Sequence, residues 1–578
     1  MRIKFSAWAL LIIFFLFFLY IFNLTVIQGD RYRNLSDKNC IRLLAQQGSR
    51  GNILDRKGKV IVGSELSYEV LVMPQDEQGL EEVFLGLARI LATGVNELRR
   101  SYRNNFVAAY VPAVVASKID IKKAIALEEL KLELGGFIIQ PRPLRDYPYG
   151  RLACHVIGYL GQIDHWRLNK LEDYGYKTKD MVGFGGIEEK YDYYLRQQEG
   201  GLSVEVDHRG RTMRVLGFRP PQNGKDIQLT LDLGIQKLAE EVLLDRKGSV
   251  VVLDPGSGEV MAMANSPNFS PAAFIKNTGS ARIENIFNNP QAPLVNRAVS
   301  GVYPPASVFK LIVAAAGLET RKINLSVTFP CDGGIYIGKR KFSCWNSHDR
   351  QNIMGAIIHS CDSFFYRTGI ILGAETIHEY ALRFGLARPT GIELPYEAAG
   401  FMPHPLWRRV YKLQKWFDGD TANFAIGQGD VLVTPIQLCR MLAVFANRGF
   451  LVSPYIVKTI DNQDVSYYKK KLTKVPIKES TINYIRSALR DTVREPGGTA
   501  GVLASLTVEV AGKTGTAQVS RGLPHGWFAG FFPFKNPKFV ICVLLENGGS
   551  GTAACVVTRQ IIQGMIDQGL IEDKHAID

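Results

Sequence analysis

Three short motifs along this chain carry side chains that together could perform acyl transfer. Ser307 stands three residues before Lys310, and Ser360 stands two residues before Asp362. Lys513 opens a Lys-Thr-Gly sequence farther along the chain. A serine attacks an amide when a neighbouring group accepts its proton, and a lysine with a depressed pKa can accept it. The motifs therefore supply a nucleophile, two lysines and a second hydroxyl, which suffice for a serine acyl-enzyme without histidine or metal.

The first motif contains the candidate nucleophile. The preceding Tyr-Pro-Pro sequence disfavours a helix, whereas residues 308–316 are compatible with one, so we expect Ser307 at a helix N-terminus. The helix dipole favours developing negative charge there, and the backbone N–H of Ser307 is expected to form half of an oxyanion hole. Lys310 shares its helix face and is the predicted proton acceptor. A second Ser-x-x-Lys sequence, from Ser466 to Lys469, lacks an apolar helix and is interpreted as a chance match.

The second motif follows an apolar helical run. We expect the hydroxyl of Ser360 to relay a proton between Lys310 and the leaving group. Asp362 is expected to orient a lysine or a substrate amide. Considered alone, this motif is more typical of a helix cap. His525 is the histidine nearest to any of the motifs, and we interpret it as part of the wall of the site rather than as a base.

The third motif follows residues 508–512, which predict an edge strand able to bind an extended peptide by strand addition. Lys513 is expected to set the electrostatics of the site, and Thr514 or Thr516 to bind a substrate carboxylate. Gly515 lets the backbone approach the substrate closely, and the backbone N–H of Thr516 is expected to complete the oxyanion hole. Considered alone, a Lys-Thr-Gly sequence is as typical of a surface turn as of a substrate-binding strand. The order and combination of the three motifs favour a reaction centre.

The N-terminus predicts a single membrane anchor. Residues 5–27 contain no charged side chain and are long enough to span a bilayer. A cleaved signal peptide is the alternative, but no small-residue cleavage site is evident. Arg2 and Lys4 favour a cytoplasmic N-terminus, whereas Arg31 and Arg33 weaken that assignment. We expect a single-pass membrane protein, most of whose chain lies outside the cytoplasm.

Bulk composition limits the possible partners. The chain has 578 residues, too many for one hydrophobic core, so two or more domains are expected. Its net charge of +14 favours an anionic neighbourhood such as lipid headgroups or cell-wall polymer. No zinc-finger spacing, aromatic RNA-binding signature or long basic arm is present, so no nucleic-acid partner is expected. The densest basic run, residues 469–474, is interpreted as a solvated loop.

The eight cysteines are scattered rather than arranged as a disulfide framework. Cys439 and Cys542 lie in apolar segments and are predicted to be core residues. Cys331 and Cys344 are followed by His348 and form the one cluster of interest. Three interpretations remain open for it: unpaired buried thiols, a disulfide, or a zinc site for which no fourth ligand is evident.

Periodicity after residue 225 predicts a mixed architecture. Residues 30–225 contain glycine-rich turns without reactive side chains, and we interpret them as a structural or partner-binding module. Beyond them, strands at the two ends bracket a long, mostly helical middle, which indicates an α+β fold with an antiparallel sheet. The predicted elements are a strand at 227–232, a helix at 233–244, a hairpin over 248–264, strands at 527–532 and 539–545, and a closing helix at 553–568.

The segment from Tyr303 to Lys310 resembles the nucleophile motif of the class B penicillin-binding proteins, with Ala306 where that family usually has Gly. The sequence Ser360-Cys-Asp362, followed by aromatic residues, is similar to the elongation-type branch of the family. The resemblance extends over nearly the whole chain. It also covers Arg50-Gly51 with Asp55-Arg56, His155 to Gly161, Gly183 to Glu189, and Gly427-Gln-Gly429 with Thr434-Pro435.

The resemblance implies a multi-domain α+β protein in three parts. These are a cytoplasmic tip and transmembrane anchor at 1–29, a non-catalytic pedestal or dimerisation-type domain at 30–225, and a transpeptidase domain at 226–578. The last part is expected to have the penicillin-binding and β-lactamase-like fold, an antiparallel sheet flanked by helices.

It further implies a monofunctional serine-type D-Ala-D-Ala transpeptidase without a glycosyltransferase domain. Such an enzyme cross-links peptidoglycan stem peptides during cell-wall elongation and is acylated by β-lactams. The implied partners are a D-Ala-D-Ala donor, an amine acceptor, the membrane, a polytopic peptidoglycan glycosyltransferase and shape-determining scaffold proteins. No cofactor and no metal ion are implied.

Four alternatives follow from the same motifs. A septal-type transpeptidase would differ in its partner and not in its chemistry. A serine β-lactamase would need a water-activating base, and no glutamate motif offers one. A β-lactam sensor usually has a cytoplasmic signalling part, whereas only about four residues precede the apolar stretch here. A non-catalytic scaffold would have lost the serine, but Ser307 is present.

Overall fold

The computed structural model describes residues 2–33, 41–74, 76–107, 111–178, 180–206, 212–275 and 280–571. Met1 of the predicted anchor and residues 572–578 of the predicted last domain lie outside these ranges. The chain forms two compact units, each built from separate segments. The first comprises Met1–Asn52, Gly63–Asp146 and Leu195–Lys225, and the second comprises Ile53–Val62, Tyr147–Tyr194 and Asp226–Asp578.

The strands are numbered in chain order. They are β1 (Ile41–Gln46), β2 (Ile53–Leu54), β3 (Val60–Val72), β4 (Ala113–Ile119), β5 (Phe137–Asp146), β6 (Tyr159–Gln162), β7 (Met181–Phe184), β8 (Gly200–Val206), β9 (Thr212–Arg219), β10 (Ile227–Leu229), β11 (Gly248–Leu253), β12 (Val260–Ser266), β13 (Phe329–Cys331), β14 (Gly334–Ile337), β15 (Arg340–Ser343), β16 (Asp349–Gln351), β17 (Phe450–Val452), β18 (Val457–Ile460), β19 (Gln463–Asp464), β20 (Leu472–Lys474), β21 (Ala511–Ala517), β22 (His525–Phe532) and β23 (Phe539–Leu545).

The α-helices are numbered in the same way. They are α1 (Arg2–Phe22), α2 (Glu77–Leu91), α3 (Val95–Asn105), α4 (Ile121–Glu133), α5 (Cys154–Ile157), α6 (His165–Leu171), α7 (Gly186–Lys190), α8 (Asp192–Leu195), α9 (Leu233–Leu243), α10 (Ala272–Ile275), α11 (Ser280–Phe287), α12 (Lys310–Glu319), α13 (Ile353–Ile358), α14 (Asp362–Leu372), α15 (Ala374–Arg383), α16 (Pro405–Tyr411), α17 (Asp418–Ala425), α18 (Pro435–Ala446), α19 (Glu479–Arg494) and α20 (Gly551–Asp567).

Helix α1 carries the predicted membrane anchor. It continues as a π-helical turn over Asn23–Ile27, and the window Leu10–Ile27 has the length and composition of a membrane span. Its large apolar side chains are exposed along the helix. Exposed apolar surface of that extent is unfavourable in water and favourable in a bilayer. Among the residues that the structure describes, this is the one helix long and apolar enough to cross a membrane.

The remainder of the first unit is organised around the long strand β3. From Gly63 onward it pairs antiparallel with β5, and it also pairs antiparallel with β4. Val70 and Val72 of β3 pack with Phe84 and Leu87 of α2 in one apolar core. A separate antiparallel sheet has the order β1-β8-β9.

The second unit contains a five-stranded antiparallel sheet in the order β12-β11-β23-β22-β21. Every residue of β11 and β23 is buried, which is typical of central strands covered on both faces. Helices α9 and α20 share one apolar core with this sheet, and α18 also packs against it. The hairpin β11–β12 and the later strands β21 to β23 thus meet in one sheet. This arrangement confirms the predicted α+β class.

Several elements predicted from periodicity coincide closely with the structure. Strand β23 has the predicted bounds, α9 ends one residue earlier than predicted, and α20 is displaced by one or two residues. Strands β13 to β20 were not predicted, because each has two to four residues, too few to show alternation. The pair β2–β10 is parallel, an exception to the antiparallel pairing of the main sheet.

Candidate active site

Ser307 lies in a tight turn at the start of a buried helix. Residues Ala306–Phe309 form a 3-10 turn that leads directly into α12. The backbone N–H of Ala306 donates to the carbonyl of Gly427 at 3.0 Å, and Tyr303 and Val433 exchange two backbone hydrogen bonds of 2.9 Å. The predicted helix N-terminus is therefore present, although its first turn is 3-10 rather than α-helical.

Ala306 has a left-handed backbone conformation, with φ of 49°. A Cβ atom is unfavourable in this region, whereas Gly adopts it freely. The neighbouring Gly427 is also left-handed, and a Cβ atom there would lie 2.3 Å from the carbonyl oxygen of Ala306. Close approach of two backbone segments thus fixes the turn that carries Ser307.

Lys310 connects the first two motifs. Its side chain is fully buried. Its Nζ donates to Asp362 Oδ1 at 2.7 Å and to the backbone oxygen of Ser360 at 2.8 Å, and lies 3.3 Å from Ser360 Oγ. Ser360 is left-handed, with φ of 55°, directly ahead of α14. That turn brings its hydroxyl and its carbonyl oxygen to the same amine.

The third motif lies within strand β21, at the edge of the main sheet. The prediction of an edge strand is confirmed, but the strand begins at Ala511 and includes the motif instead of preceding it. A Cβ atom at Gly515 would lie 3.2 Å from the carbonyl oxygen of Pro305 and 3.3 Å from Val308. The glycine therefore lets β21 pack against the turn that carries Ser307.

Lys513 is fully buried, and its Nζ has no hydrogen-bond partner within the described part of the chain. Burial, followed by the charge of Lys310, holds the pKa of Lys513 well below its usual range. The carboxylate of Asp362 opposes this shift without cancelling it. The site thus contains one lysine paired with a carboxylate and one that favours the neutral amine.

The two threonines of the motif have different partners. The hydroxyl of Thr514 donates to the hydroxyl of Thr499 at 2.7 Å. The hydroxyl of Thr516 accepts from the backbone N–H of Gly551 at 3.1 Å, at the first residue of α20. The side chain of Thr516 therefore lies where the N-terminus of α20 contributes a positive potential.

The motifs meet at a single cavity of about 1090 Å³. Six of the eight predicted site residues line it: Ser307, Ser360, Asp362, Thr514, Gly515 and Thr516. Lys310 and Lys513 are fully buried and are not among its lining residues. The structure thus brings together side chains that are separated by up to about 200 positions in the sequence.

Four further segments line this cavity and were missed by sequence reasoning. These segments are residues 340–345, 423–429, 497–502 and 550–552. Some residues within these ranges do not reach the cavity. The resemblance had singled out Gly427 to Gly429 without assigning them a place in the site. Thr499 follows a Pro-Gly-Gly sequence, which indicates a turn but not the cavity that the turn faces.

A polar network supports the turn that carries Ser307. Glu546 accepts from Tyr303 Oη at 2.7 Å, from Arg297 Nε at 2.8 Å and from Lys247 Nζ at 2.9 Å. Burial alone would raise the pKa of Glu546, but the hydrogen bonds from Lys247 and Tyr303 and the charge of Arg297 hold it below its usual range. Trp527 Nε1 also donates to the carbonyl of Pro304 at 2.9 Å.

A thiol–imidazole cluster adjoins the second motif. The Sγ atoms of Cys331 and Cys344 each lie 3.5 Å from His348 Nδ1. With Cys361, the four ligand atoms lie within 4.8 Å of one another. Three thiols and one imidazole form a donor set that suits a tetrahedral zinc ion. Cys361 is the fourth candidate ligand, which the sequence did not reveal because it lies inside the Ser-Cys-Asp motif.

Two residues were expected to lie outside the chemistry. Ser466 is buried in a 3-10 turn away from the cavity, and Lys469 of the same sequence pairs with Glu393. His525 packs edge-on against Tyr303 and its Nδ1 accepts from the backbone N–H of Asn547 at 3.0 Å. Neither feature contributes a side chain to the lining of the cavity, so His525 is not part of its wall as predicted, because it packs on Tyr303 behind the turn that carries Ser307.

Comparison with known proteins places these features in a family. Residues 248–563 match the family described as Penicillin binding protein transpeptidase domain, and residues 45–229 match the Penicillin-binding Protein dimerisation domain. The peptidoglycan D,D-transpeptidase MrdA of Acinetobacter baumannii is 31% identical over 93% of this chain and 83% of that protein.

Two solved structures are similar over most of the chain. One is the complex between penicillin-binding protein 2 and MreC from Helicobacter pylori, with a TM-score of 0.82 and 27% identity over 92% of this chain and all of the matched chain. The other is described as the structural coordination of polymerization and crosslinking by a peptidoglycan synthase complex. It has a TM-score of 0.74 and 31% identity over 97% of this chain and 98% of the matched chain.

Proposed function

The chain belongs to the penicillin-binding protein transpeptidase family, of the penicillin-binding protein 2 type, and we propose from this premise that it is an elongation-type peptidoglycan D,D-transpeptidase. The observation that carries the proposal is the convergence of Ser307, the Lys310–Asp362 pair and strand β21 on one cavity. These groups supply a nucleophile, charged positioning groups and an edge for an extended peptide.

In the acylation step, Ser307 Oγ attacks the carbonyl carbon of the D-Ala-D-Ala peptide bond. The backbone N–H groups of Ser307 and Thr516 stabilise the oxyanion, a contribution worth roughly 3–4 kcal/mol for one donor in other enzymes. The C–N bond then breaks, the D-Ala amine takes a proton and leaves, and an ester remains on Ser307. Close packing of Gly515 on Pro305 supports this placement of the two N–H groups.

The proton from Ser307 needs a neutral amine as its acceptor. Lys310 Nζ is already engaged by Asp362 Oδ1 at 2.7 Å and by the backbone oxygen of Ser360 at 2.8 Å. The lowered pKa of Lys513 favours a free amine there. These observations support Lys513 as the proton acceptor and Lys310 as the group that holds Ser360, the candidate relay to the leaving group. The sequence made Lys310 a candidate acceptor and left open which of the two lysines is the resting base.

Substrate orientation follows from β21. The donor peptide adds to the edge of the sheet, and its terminal carboxylate binds the hydroxyls of Thr514 and Thr516 near the N-terminus of α20. In the second step, an amine from a neighbouring stem peptide attacks the ester, forms the cross-link and returns the proton to Ser307. A β-lactam acylates the same serine and leaves a ring-opened ester that persists.

The other parts of the chain give this activity its location. We infer that residues 1–29 anchor the protein in the inner membrane, that residues 30–225 form the pedestal and that residues 226–578 form the periplasmic transpeptidase domain. The similarity to a penicillin-binding protein 2 bound to MreC supports a shape-determining scaffold partner. Similarity to a synthase complex that couples polymerization with crosslinking supports a membrane glycosyltransferase as a second partner.

Labelling of the full-length protein with a fluorescent penicillin tests the chemistry. We expect stable label in the wild type and in Ser466→Ala, and none in Ser307→Ala, because the two serines share the Ser-x-x-Lys sequence but differ in position. Wild-type protein without label would contradict the proposal, and label lost within seconds would indicate a β-lactamase.

A cellular experiment tests the elongation role. Depletion of an elongation-type transpeptidase is expected to give round cells, whereas depletion of a septal enzyme gives filaments.

Co-purification of the full chain with the glycosyltransferase, compared with a chain lacking 30–225, tests the pedestal. Retention of the glycosyltransferase by the shortened chain would contradict the assigned role of that module.

A further inference from the structure

A cationic hairpin lies at the edge of the cavity that contains Ser307. Strands β14 and β15 pair antiparallel, and Gly338 and Lys339 form the turn between them. Arg340 and Lys341 begin β15, and both line the cavity. Lys339, Arg340 and Lys341 are all exposed, and the last two line the same cavity as Ser307, with Arg340 on the face of Phe342 and Lys341 on the opposite face of β15.

The hairpin does not neutralise these charges itself. Among the residues that the structure describes, no carboxylate forms an ion pair with Lys339, Arg340 or Lys341. The guanidinium of Arg340 lies 5.4 Å from the ring centroid of Phe342, a contact that leaves its donors available. Consecutive unpaired cations at the rim of a cleft raise the local concentration of anions.

The hairpin backbone is held in place by packing. Ile335 and Phe342 are buried against Tyr366 and Ala422. Tyr366 Oη donates to the carbonyl of Ser343 at 3.1 Å. Because these contacts lie on the side of the hairpin that meets α14, binding an anion on its cationic residues does not require a loop to become ordered.

The position of the hairpin assigns it to one part of the substrate. The hairpin packs on α14, which begins at Asp362, whereas α20 packs on β21. In the proposed function the terminal carboxylate of the donor lies at Thr514 and Thr516, on the side of α20. The part of the peptide upstream of the scissile bond therefore extends from Ser307 toward the hairpin.

We propose that Arg340 and Lys341 bind a carboxylate of the donor stem peptide, on a residue upstream of the D-Ala-D-Ala bond. This inference rests on the proposed function and adds to it a selectivity for an acidic peptide. The guanidinium of Arg340 can form two parallel hydrogen bonds with the carboxylate, and Lys341, whose side chain leaves β15 on the opposite face, adds a longer-range attraction.

The test uses the full-length protein in nonionic detergent with two synthetic D-Ala-D-Ala pentapeptides. In one peptide the residue that precedes D-Ala-D-Ala carries a free side-chain carboxylate. In the other peptide the same residue carries a carboxamide instead. Release of D-Ala gives kcat/KM for each peptide, and a fluorescent penicillin counts the active sites in every preparation. The ratio of the two kcat/KM values is independent of how much protein is folded.

The variants compared are the wild type, Arg340→Gln/Lys341→Gln and the control Lys470→Gln/Lys471→Gln. The control removes the same net charge from exposed residues outside the cavity lining. We expect a carboxylate preference of about 5- to 20-fold in the wild type and in the control, and about one in the hairpin variant. The wild-type preference should decrease as salt is added.

Each result separates this inference from the proposed function. A wild-type preference near one, or a preference that survives in Arg340→Gln/Lys341→Gln, overturns the inference while D-Ala release still supports the transpeptidase. Penicillin labelling without any release of D-Ala from either peptide also overturns it. A wild type that neither reacts with penicillin nor releases D-Ala overturns the proposed function, and the inference with it.

Discussion

Ala306 shows how one side chain responds to the geometry of the turn that carries the nucleophile. Its φ of 49° lies in the left-handed region, where residues other than Gly are unfavourable. The family usually has Gly at this position, and the structure gives the physical reason. The protein tolerates Ala because hydrogen bonding to Gly427 and the surrounding packing hold the turn in place.

Replacement of Ala306 by Gly is expected to leave the free energy of unfolding unchanged or to raise it by about 1 kcal/mol, because it relieves the left-handed strain. Ala315→Gly, at a buried position inside α12, is the matched control. This change should lower the free energy of unfolding by about 1 kcal/mol or more. Thermal unfolding of both variants checks this. An equal loss of stability in the two would contradict the strain at Ala306.

Lys513 gives a second prediction at this scale, about pH. If its neutral amine accepts the proton, the rate of penicillin acylation rises as the pH rises through its lowered pKa. Lys513→Arg should lower this rate by about 10²- to 10⁴-fold and remove that limb of the profile, because arginine stays charged. Acylation that persists in Lys513→Arg with an unchanged profile would exclude Lys513 as the base.

The same lysine links pH to stability. Its folded-state pKa is lower than its unfolded-state value, so the unfolded chain binds more protons between the two values. The free energy of unfolding is therefore expected to fall as the pH decreases from above 10.5 toward the folded-state pKa, with no further contribution below it. A variant with methionine at position 513 should lack this dependence.

Among the secondary-structure elements, two turns that lead into helices and one edge strand position the site. The 3-10 turn ahead of α12, the turn ahead of α14 and strand β21 each present one motif. Gly427 allows an approach of backbones that a side chain would prevent, and Gly515 one at which a side chain would be crowded. Catalytic geometry here follows from backbone packing as much as from the reactive side chains.

The thiol–imidazole cluster at the start of α14 gives an element-scale prediction. Protein purified without chelator is expected to contain one zinc ion per chain, bound by Cys331, Cys344, His348 and Cys361. Removal of the metal should lower the melting temperature, because binding to a site that exists only in the folded state stabilises that state. Elemental analysis and thermal unfolding before and after chelation measure both effects.

Cys361→Ser should lose the zinc, whereas Cys439→Ser, at a buried cysteine outside the cluster, should retain it. Stoichiometric zinc in Cys361→Ser would contradict the ligand assignment. Protein with no zinc and an unchanged melting temperature after chelation would favour the interpretation as unpaired thiols.

At the scale of the whole molecule, one apolar helix and two compact units separate location from chemistry. Every residue that lines the cavity belongs to the second unit, whereas the helix belongs to the first. Both units combine segments that are separated in the chain, so the predicted boundaries at residues 29 and 225 stay predictions.

The orientation of the chain in the membrane can be tested with protease. If the N-terminus lies inside, a protease added to spheroplasts is expected to degrade the part of the chain after α1. Only the anchor and the residues before it should be protected. A cytoplasmic protein serves as the control for intact spheroplasts. Protection of the transpeptidase domain would reverse the proposed orientation.

Much of the chemistry could be predicted from the sequence, because it depends on residue types at short spacing. The Ser307–Lys310 spacing places both residues on one helical turn. The apolar run in α1 and strand β23 show their patterns within a single element. Local periodicity suffices for features of this kind.

Contacts across long sequence separations were decided only by the tertiary structure. Lys310 meets Asp362 across 52 positions, and Thr499 meets Thr514 across 15. The place of Cys361 in the thiol–imidazole cluster and the place of Arg340 in the cavity lining likewise depend on how separate elements fold onto helix α14. No local pattern encodes such contacts, because they arise when separate elements bury their apolar faces against each other.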